Sequence, residues 1–591
     1  MTEANDQAPA AALEPLPSDP NASYSKDYWD LVLDQLLKHG LFKAGLAVLA
    51  LLYGLAIFAP LISNDRPYKL VAIDYGAYES SLRGVGVLAG QAVDALVEAE
   101  DPAAAADKVS RNVSAVSTRL DVMERYLPES EVEPLDAYEA DLVAALAAAE
   151  SGAPLSEEAG AELIARGREI ATAYRPIRHD ALDAEDEASA AGKRLVPHTS
   201  YPLPASLHWF SVFFMVLWLV WASFPLWNSL WNQGLLEGHK ERIRRARSAK
   251  WGVLLGVPLL VAIAWGVLGT GDGGAFDVAP YKQGLTKGTI VPVEAPLLAP
   301  ITYGYAELHK EESFRPPTWQ RNAQLDTDGR YIHGLRQAKP DTVTGYLPPA
   351  VPTEVRFGEP WPNAPHRHLA GTDELGRDFF VRMLWGGRVS LAVGIVSAIL
   401  LTVIGVVMGA IAGYFGGWVD SAIMRLIEIL QSIPAFFLIL ATMAFTDPDV
   451  VPPIIAIVVV IALVRWTGAA RLVRGEFLRL REQEFVVASR ALGFSSARTI
   501  FRHVLPNAMS PVLVNAAFSV AAGILTESAV SFLGFGVSHP DASWGSLVNE
   551  SRSPDHWWIQ VFPGLLIFLT VTCYNLVGDA VRDALDPKMK V

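Results

Sequence analysis

Residues Arg481 to Asn507 read REQEFVVASRALGFSSARTIFRHVLPN, a polar, basic stretch between two apolar runs. Ala488, Ala491 and Leu492 lie one helical turn apart and share a helix face. Arg481, Arg490, Arg498 and Arg502 supply charge. Gly493 breaks the helix, Ser495 and Ser496 offer a restart cap, and Pro506 ends the second piece. The pattern predicts two short helices lying on a membrane surface. Between them sits a small-residue patch that another protein can approach closely.

The rest of the chain suits that setting. It has 591 residues, 51% of them hydrophobic, and a mean hydropathy of +0.26, as expected of a polytopic membrane protein with sizeable soluble parts. The single cysteine, Cys573, lies in an apolar run, which excludes an internal disulfide and reads as a small buried hydrophobe. The net charge of −15 is unevenly placed, since residues 66–206 hold 13 Lys/Arg against 25 Asp/Glu. Such acidity argues against nucleic-acid binding. Residues 1–25 are polar and rich in Ala and Pro and read as disordered, within a cytoplasmic tail over 1–38. They do not resemble a cleavable signal peptide.

A bilayer-crossing helix needs about twenty apolar residues. Eight runs qualify, near 42–63, 207–227, 250–270, 388–413, 422–446, 451–470, 510–534 and 559–579. The sixth is interrupted by Arg465. The basic loop GHKERIRRARSAK after the second run and the arginines Arg471, Arg474, Arg479 and Arg481 after the sixth are both placed in the cytoplasm by the positive-inside rule. With eight spans these placements agree, and both termini fall inside. The expected organisation is a first span over 39–63, an acidic extracytoplasmic insert over 64–206 and an inserted helix pair over 207–270. An irregular outer segment over 271–368 follows, then a membrane domain over 369–591. Residues 75–190 show helical apolar spacing punctuated by Pro102, Pro128, Pro134 and Pro154, and read as an antiparallel helical bundle. Residues 271–368 are rich in Pro, Gly, Tyr and Thr and offer only short strands.

Within the membrane domain, LAGTDELGRDFFVRMLWGGRVSLAVG begins at Leu369. Thr372 and Asp373 can cap a turn, Gly376 permits a tight bend, and Arg377 and Asp378 are placed to pair. Taken alone this is a polar elbow leading into a helix. Gly405, Gly409 and Gly413 at spacing four form a smooth stripe for close helix packing. Arg425 and Glu428 form an intrahelical pair, and Pro434 kinks the fifth span. Glu527 is an acid at a span's end that must be paired or wet. Asp579, Arg582, Asp583 and Asp586 read as a solvated helix end. No phosphate loop, HExxH, GxSxG or paired Cys-x-x-Cys occurs, so no catalytic residue and no metal site are expected.

Three strings carry a resemblance. The 481–507 stretch resembles the EAA loop of bacterial ABC importer permeases. The string at Leu369 resembles the GTDxxGRD…R…G.R.SL opening of dipeptide and oligopeptide permeases. Glu527 to Leu547, with SFLGFGVSHPDASWGSL, is similar to that family's E..LSFLGLGV…P.PSWG. The chain thus resembles the second membrane subunit of dipeptide, oligopeptide and nickel ABC importers. ISNDRPY and PLLAPITYGY lean toward the microcin C-type branch.

The resemblance implies an all-α polytopic membrane protein with a type I permease core of the first span plus five C-terminal spans. An inserted helical extracytoplasmic domain and two additional transmembrane helices bring the total to eight. It also implies a bacterial cytoplasmic-membrane location. The expected partners are a second homologous permease, two ABC ATPase subunits and an extracytoplasmic solute-binding protein. No cofactor is bound by this chain, since ATP and Mg belong to the ATPases, and it is no enzyme itself. Glu484, Ala488, Arg490, Ala491, Gly493 and Pro506 are expected to couple to the ATPase. Thr372, Asp373, Arg377, Asp378, Glu527 and Trp544 are expected at the outer entrance. Val487 stands where that loop commonly has Glu, and Ser489 where it has Ala. Glu484 supplies an acid three residues earlier. The insert over 75–290 is outside the resemblance. Two other classes compete, a membrane receptor with a helical ligand-binding domain and a secondary transporter. The short inside loops and the absence of visible inverted repeats weigh against them.

Overall fold

The computed structural model describes residues 32, 35–97, 102–151, 155–177, 192–227, 240–268, 289–294, 296–308, 313–317, 332–333, 336–337, 368–447, 450–537 and 539–585. The tail read as disordered (1–25), the start of the basic loop after residue 227, most of 271–367 and Asp586 lie outside the described residues. Helix α1 (Gly40–Ile57) leads through a short turn of helix into strand β1 (Leu70–Asp74). Four helices follow, α2 (Tyr75–Val97), α3 (Pro102–Glu124), α4 (Glu133–Glu150) and α5 (Glu157–Ala173). They share one core that includes Tyr78, Val85, Leu120, Met123, Leu135 and Tyr138. Helices α2 and α5 run antiparallel, because Gly86 meets Ala171, Ala89 meets Gly167 and Val97 meets Gly160. The bundle is therefore as the apolar spacing foretells.

One feature of the expected all-α architecture needs correcting. Strand β2 (His198–Ser200) and strand β3 (Ile290–Pro292) pair with β1 on either side, antiparallel, in the order β2-β1-β3. Val71 faces Thr199, and Asp74 faces Ile290. The Tyr75 N–H donates to the Thr289 carbonyl at 2.8 Å. Leu70, Ala72 and Ile290 bury one side of this sheet. Its strands come from three distant parts of the chain, so local periodicity could not announce it. The insert is thus bounded by two residues, Asp74 and Ile290, that are paired neighbours.

The membrane part begins with α6 (Trp209–Ala222) and α7 (Lys240–Leu268). The core helices are α8 (Phe379–Phe415), α9 (Gly417–Ser432), α10 (Ala435–Phe445) and α11 (Pro453–Leu480). Then come α12 (Glu484–Ala491), α13 (Ser496–Thr499), α14 (Leu505–Phe532), α15 (Trp544–Asn549) and α16 (Trp557–Leu585). Among the described residues six helices are long and apolar enough to cross a membrane, or seven if α9 and α10 form one broken span. That pair is bent by 79°. The expected kink at Pro434 is a full break, because Ile433 before it is extended with ψ 128°. The remaining expected span, 207–227, gives an α-helix of only 14 residues, with helix resuming over 224–227 after Ser223. Helix α6 docks on α1, where the Trp218 indole lies against Gly54 and donates to the Ala50 carbonyl at 3.2 Å. The first span also packs on α16, with Gly45 against the carbonyl of the buried Cys573.

Candidate functional site

The Arg481–Asn507 stretch emerges at the end of α11. Its first helix, α12, follows an extended Gln483 and buries Val486 against a core that includes Tyr414, Phe477 and Val504. Ser489 is also buried, and its hydroxyl donates to the Phe485 carbonyl at 2.8 Å. Arg490 lays its guanidinium over the Tyr414 ring of α8, 4.8 Å from the centroid. A cation–π contact of this kind pins the back of α12 to the membrane domain. The opposite side faces out. Glu484, Ala488 and Ala491 are exposed, with Leu492 73% and Val487 53% exposed beside them.

Gly493 then takes φ +76°, a left-handed conformation that a Cβ would strain. Its N–H donates to the Arg490 carbonyl at 2.9 Å, and the Phe494 N–H donates to the Ser489 carbonyl at 3.1 Å, closing the helix end. Ser495 caps α13 by accepting from the Arg498 N–H. Pro506 departs from expectation. It does not stop the second piece but sits in the first turn of α14, where a proline's missing N–H costs little. A single π turn, Ile500–Val504, absorbs the change of register. Residues 496–532 therefore form one continuous helix. Phe501, in that π turn, is 65% exposed. Sequence reasoning found Ala488, Ala491 and Leu492 of this surface. Val487 was visible only as a departure from the EAA pattern.

Beneath this surface the glycine stripe does what its spacing implies. A Cβ on Gly405, Gly409 or Gly413 would lie 2.4–2.5 Å from Ala469, the Ala470 carbonyl or Phe477, so α8 and α11 meet backbone to backbone. Asp420 of α9 is held by Arg474 of α11 through two hydrogen bonds of 2.5 and 2.6 Å. This clamp joins residues 54 positions apart and had no local signal. The Arg425–Glu428 pair forms as expected, at 2.8 Å and fully on the surface.

The six residues expected at the outer entrance are all buried, and they form a lock. Arg377 does not pair with Asp378. It turns back to Asp373, Nε to carboxylate at 2.6 Å, while Asp378 caps α8 and meets His368 at 2.8 Å. Asp378 is already committed as the helix cap, which is why the expected pair does not form. Asp373 also accepts from Arg382 at 2.7 Å, and Arg382 pairs with Glu550. Burial pushes the Glu550 carboxyl up, against the pull of Arg382 and Arg377. Burial together with Arg377 and Arg382 holds His539 below the usual imidazole range. The Thr372 hydroxyl accepts from the Arg315 N–H at 2.7 Å, and its carbonyl accepts from the Trp558 indole at 3.1 Å. Glu527 accepts from Ser390 at 3.0 Å and Ser531 at 2.7 Å. Ser390 in turn accepts from the Trp544 N–H at 3.0 Å. A buried network of this kind fixes positions rather than offering a surface, although Nε and Nη2 of Arg382 are left without a partner.

Residues 405–591 match the family described as the binding-protein-dependent transport system inner membrane component. Residues 27–81 match the N-terminal TM domain of oligopeptide transport permease C. The dipeptide transport system permease protein DppC of Bacillus subtilis is 41% identical over 226 residues, 38% of this chain and 69% of that protein. A putative peptide transport system permease protein of Brucella suis is 39% identical over 251 residues, 42% of this chain and 82% of that protein. The chain belongs to the dipeptide and oligopeptide family of ABC importer permeases. The oligopeptide permease OppC of Bacillus subtilis, at 39% identity over 38% of this chain and 72% of its own, agrees. The permease also overlays on the inward-facing MetNI methionine ABC transporter, at 20% identity and a TM-score of 0.26 over 34% of this chain and 95% of that one. At that score the overlay carries no argument. The two family matches flank residues 82–404 of the permease, which hold most of the insert.

Proposed function

We propose that this permease forms half of the translocation pathway of an ATP-driven importer for peptides or similar small solutes. A second, homologous permease supplies the other half. Two separate ATPase subunits bind ATP and Mg and dock against α12, and a solute-binding protein delivers cargo at the outer face. The single observation that carries this reading is the outward face of α12 and the turn after it. Val487 and Leu492 flank Ala488 and Ala491 with exposed apolar surface, while Val486, Ser489 and Arg490 anchor the other side. An apolar patch rimmed by charge is the signature of a protein partner rather than of solvent. The relatives named for dipeptide, oligopeptide and peptide transport support the cargo class. None of them favours a receptor.

The sheet supports the eight-span count by parity. β1 and β3 are hydrogen-bonded neighbours and so lie on one side of the membrane. The chain between them holds α7, which is apolar enough to cross. An even number of crossings is needed to return to the same side, and 207–227 supplies the second. The basic residues in the first turns of α7 favour a cytoplasmic position for that end, which leaves the α2–α5 bundle outside and both termini inside.

The test is co-purification of the chain from membranes with its native neighbours. The expected result is a second permease and an ATPase in the same complex, and Leu492→Asp should release the ATPase while the two permeases stay together. A chain that migrates alone and intact would end the proposal.

A further inference from the structure

Arg465 interrupts the apolar stretch of α11. It is 12 residues from the start of α11, about 18 Å along the axis, and about 9 Å short of Arg471. Charges in the apolar middle of a span are costly and are kept for function. Three other charged residues of the described helices have partners. Arg474 holds Asp420, Glu527 sits among serines, and Arg388 donates to Ser211 at 3.1 Å. Arg465 contrasts with them, with no hydrogen bond or ion pair among the described residues and an exposed side chain.

Its surroundings set it on an open face of α11. Counting 100° per residue, Arg465, Gly468 and Gly475 fall within one narrow arc of α11. No atom lies within 4 Å of a Cβ built on either glycine. The neighbouring faces are taken. Trp466, Ala469 and Ala470 pack toward α8, and Gln431 of α9 covers Thr467 and Arg471. Helical side chains lean toward the helix N-terminus, so Arg465 leans away from the basic cytoplasmic end rather than snorkelling to it. What remains is an open face of α11 that carries Gly468, Gly475 and the exposed Arg465.

We propose that Arg465 is an anion-binding station in the translocation pathway and that it grips the C-terminal carboxylate of the peptide in transit. A peptide always presents that group at neutral pH, and the planar guanidinium matches it with two parallel hydrogen bonds. The inference deepens the peptide-import reading and rests on it.

The complete transporter in proteoliposomes provides the test, with tri-alanine and its C-terminal amide as probes. The wild type should prefer the free acid, by roughly tenfold in half-saturating concentration, the scale expected for one charged hydrogen-bonded pair. Arg465→Gln should erase that preference. Arg465→Lys, which keeps the cation but loses the fork, should retain part of it and shows that the site tolerates substitution. A wild type with no preference, or a preference that survives Arg465→Gln, overturns the assignment. So does an equal loss of both probes, which would place the partner of Arg465 on the other permease. If the wild type imports neither probe, the peptide reading itself fails and takes this inference with it.

Discussion

Gly493 and Glu124 show what single residues decide. The backbone at Gly493 is left-handed with open space in front of it, so Gly493→Ala adds strain of about 1 kcal/mol without a clash. Transport should weaken modestly in that variant. Gly493→Trp, which also fills the docking surface, should uncouple ATP turnover from uptake while membrane insertion stays normal. Uptake and ATP hydrolysis measured on the same vesicles separate the two. Glu124 tells a different story. Burial first, then Asp136, Asp121 and Glu139, push its carboxyl from 4.5 up to about 7. The folded bundle therefore holds the Glu124 proton more tightly than the unfolded chain does. That stabilisation is complete below 4.5 and lost as the pH rises through about 7. Hydrogen exchange in α3 should accordingly be faster at pH 8 than its intrinsic acceleration explains, and Glu124→Gln should remove the excess. Ser495 and Gly493 were legible in the sequence because caps and left-handed turns are local. The Arg474–Asp420 clamp was not, because its two halves meet only after α9 folds back on α11.

At the level of elements, the contact between α8 and α11 makes the sharpest demand. The glycine stripe leaves no room at Gly409, where an added Cβ would sit 2.4 Å from the Ala470 carbonyl. Gly409→Leu must force the helices apart, and a loss of about 1–3 kcal/mol follows from overpacking. The expected readout is a lower melting temperature of the purified transporter, with Gly468→Leu, where space is open, as the neutral comparison. Spacing alone foretold this contact because four-residue periodicity maps directly onto a helix face. Pro506 misled for the opposite reason. A proline reads as a stop, but its effect depends on whether the chain before it is already helical, and the π turn that makes it so has no sequence signature. Arg377 likewise read as a partner for its neighbour Asp378, although the helix cap had already claimed that acid.

The whole molecule is a permease interrupted at a hairpin. Because Asp74 and Ile290 are paired, joining them through a two-residue turn in place of 75–289 leaves β1 and β3 in register. Such a deletion should still insert, retain both termini on the same side, and co-purify with the ATPase. Protease access to tags at the two ends checks the topology. The membrane core was legible because apolar length and three specific strings mark it. The junction was not, because nothing in a linear reading reveals that residues 74 and 290 touch. A last consequence follows from the unbroken helix over 496–532. It carries the exposed Phe501 and the buried Glu527, about 39 Å apart at 1.5 Å per residue. A tilt of about 10° at its base would swing the far end by about 7 Å over that length. The two ends of this rod are therefore geared together, through a lower joint formed by the π turn at 500–504 and Pro511.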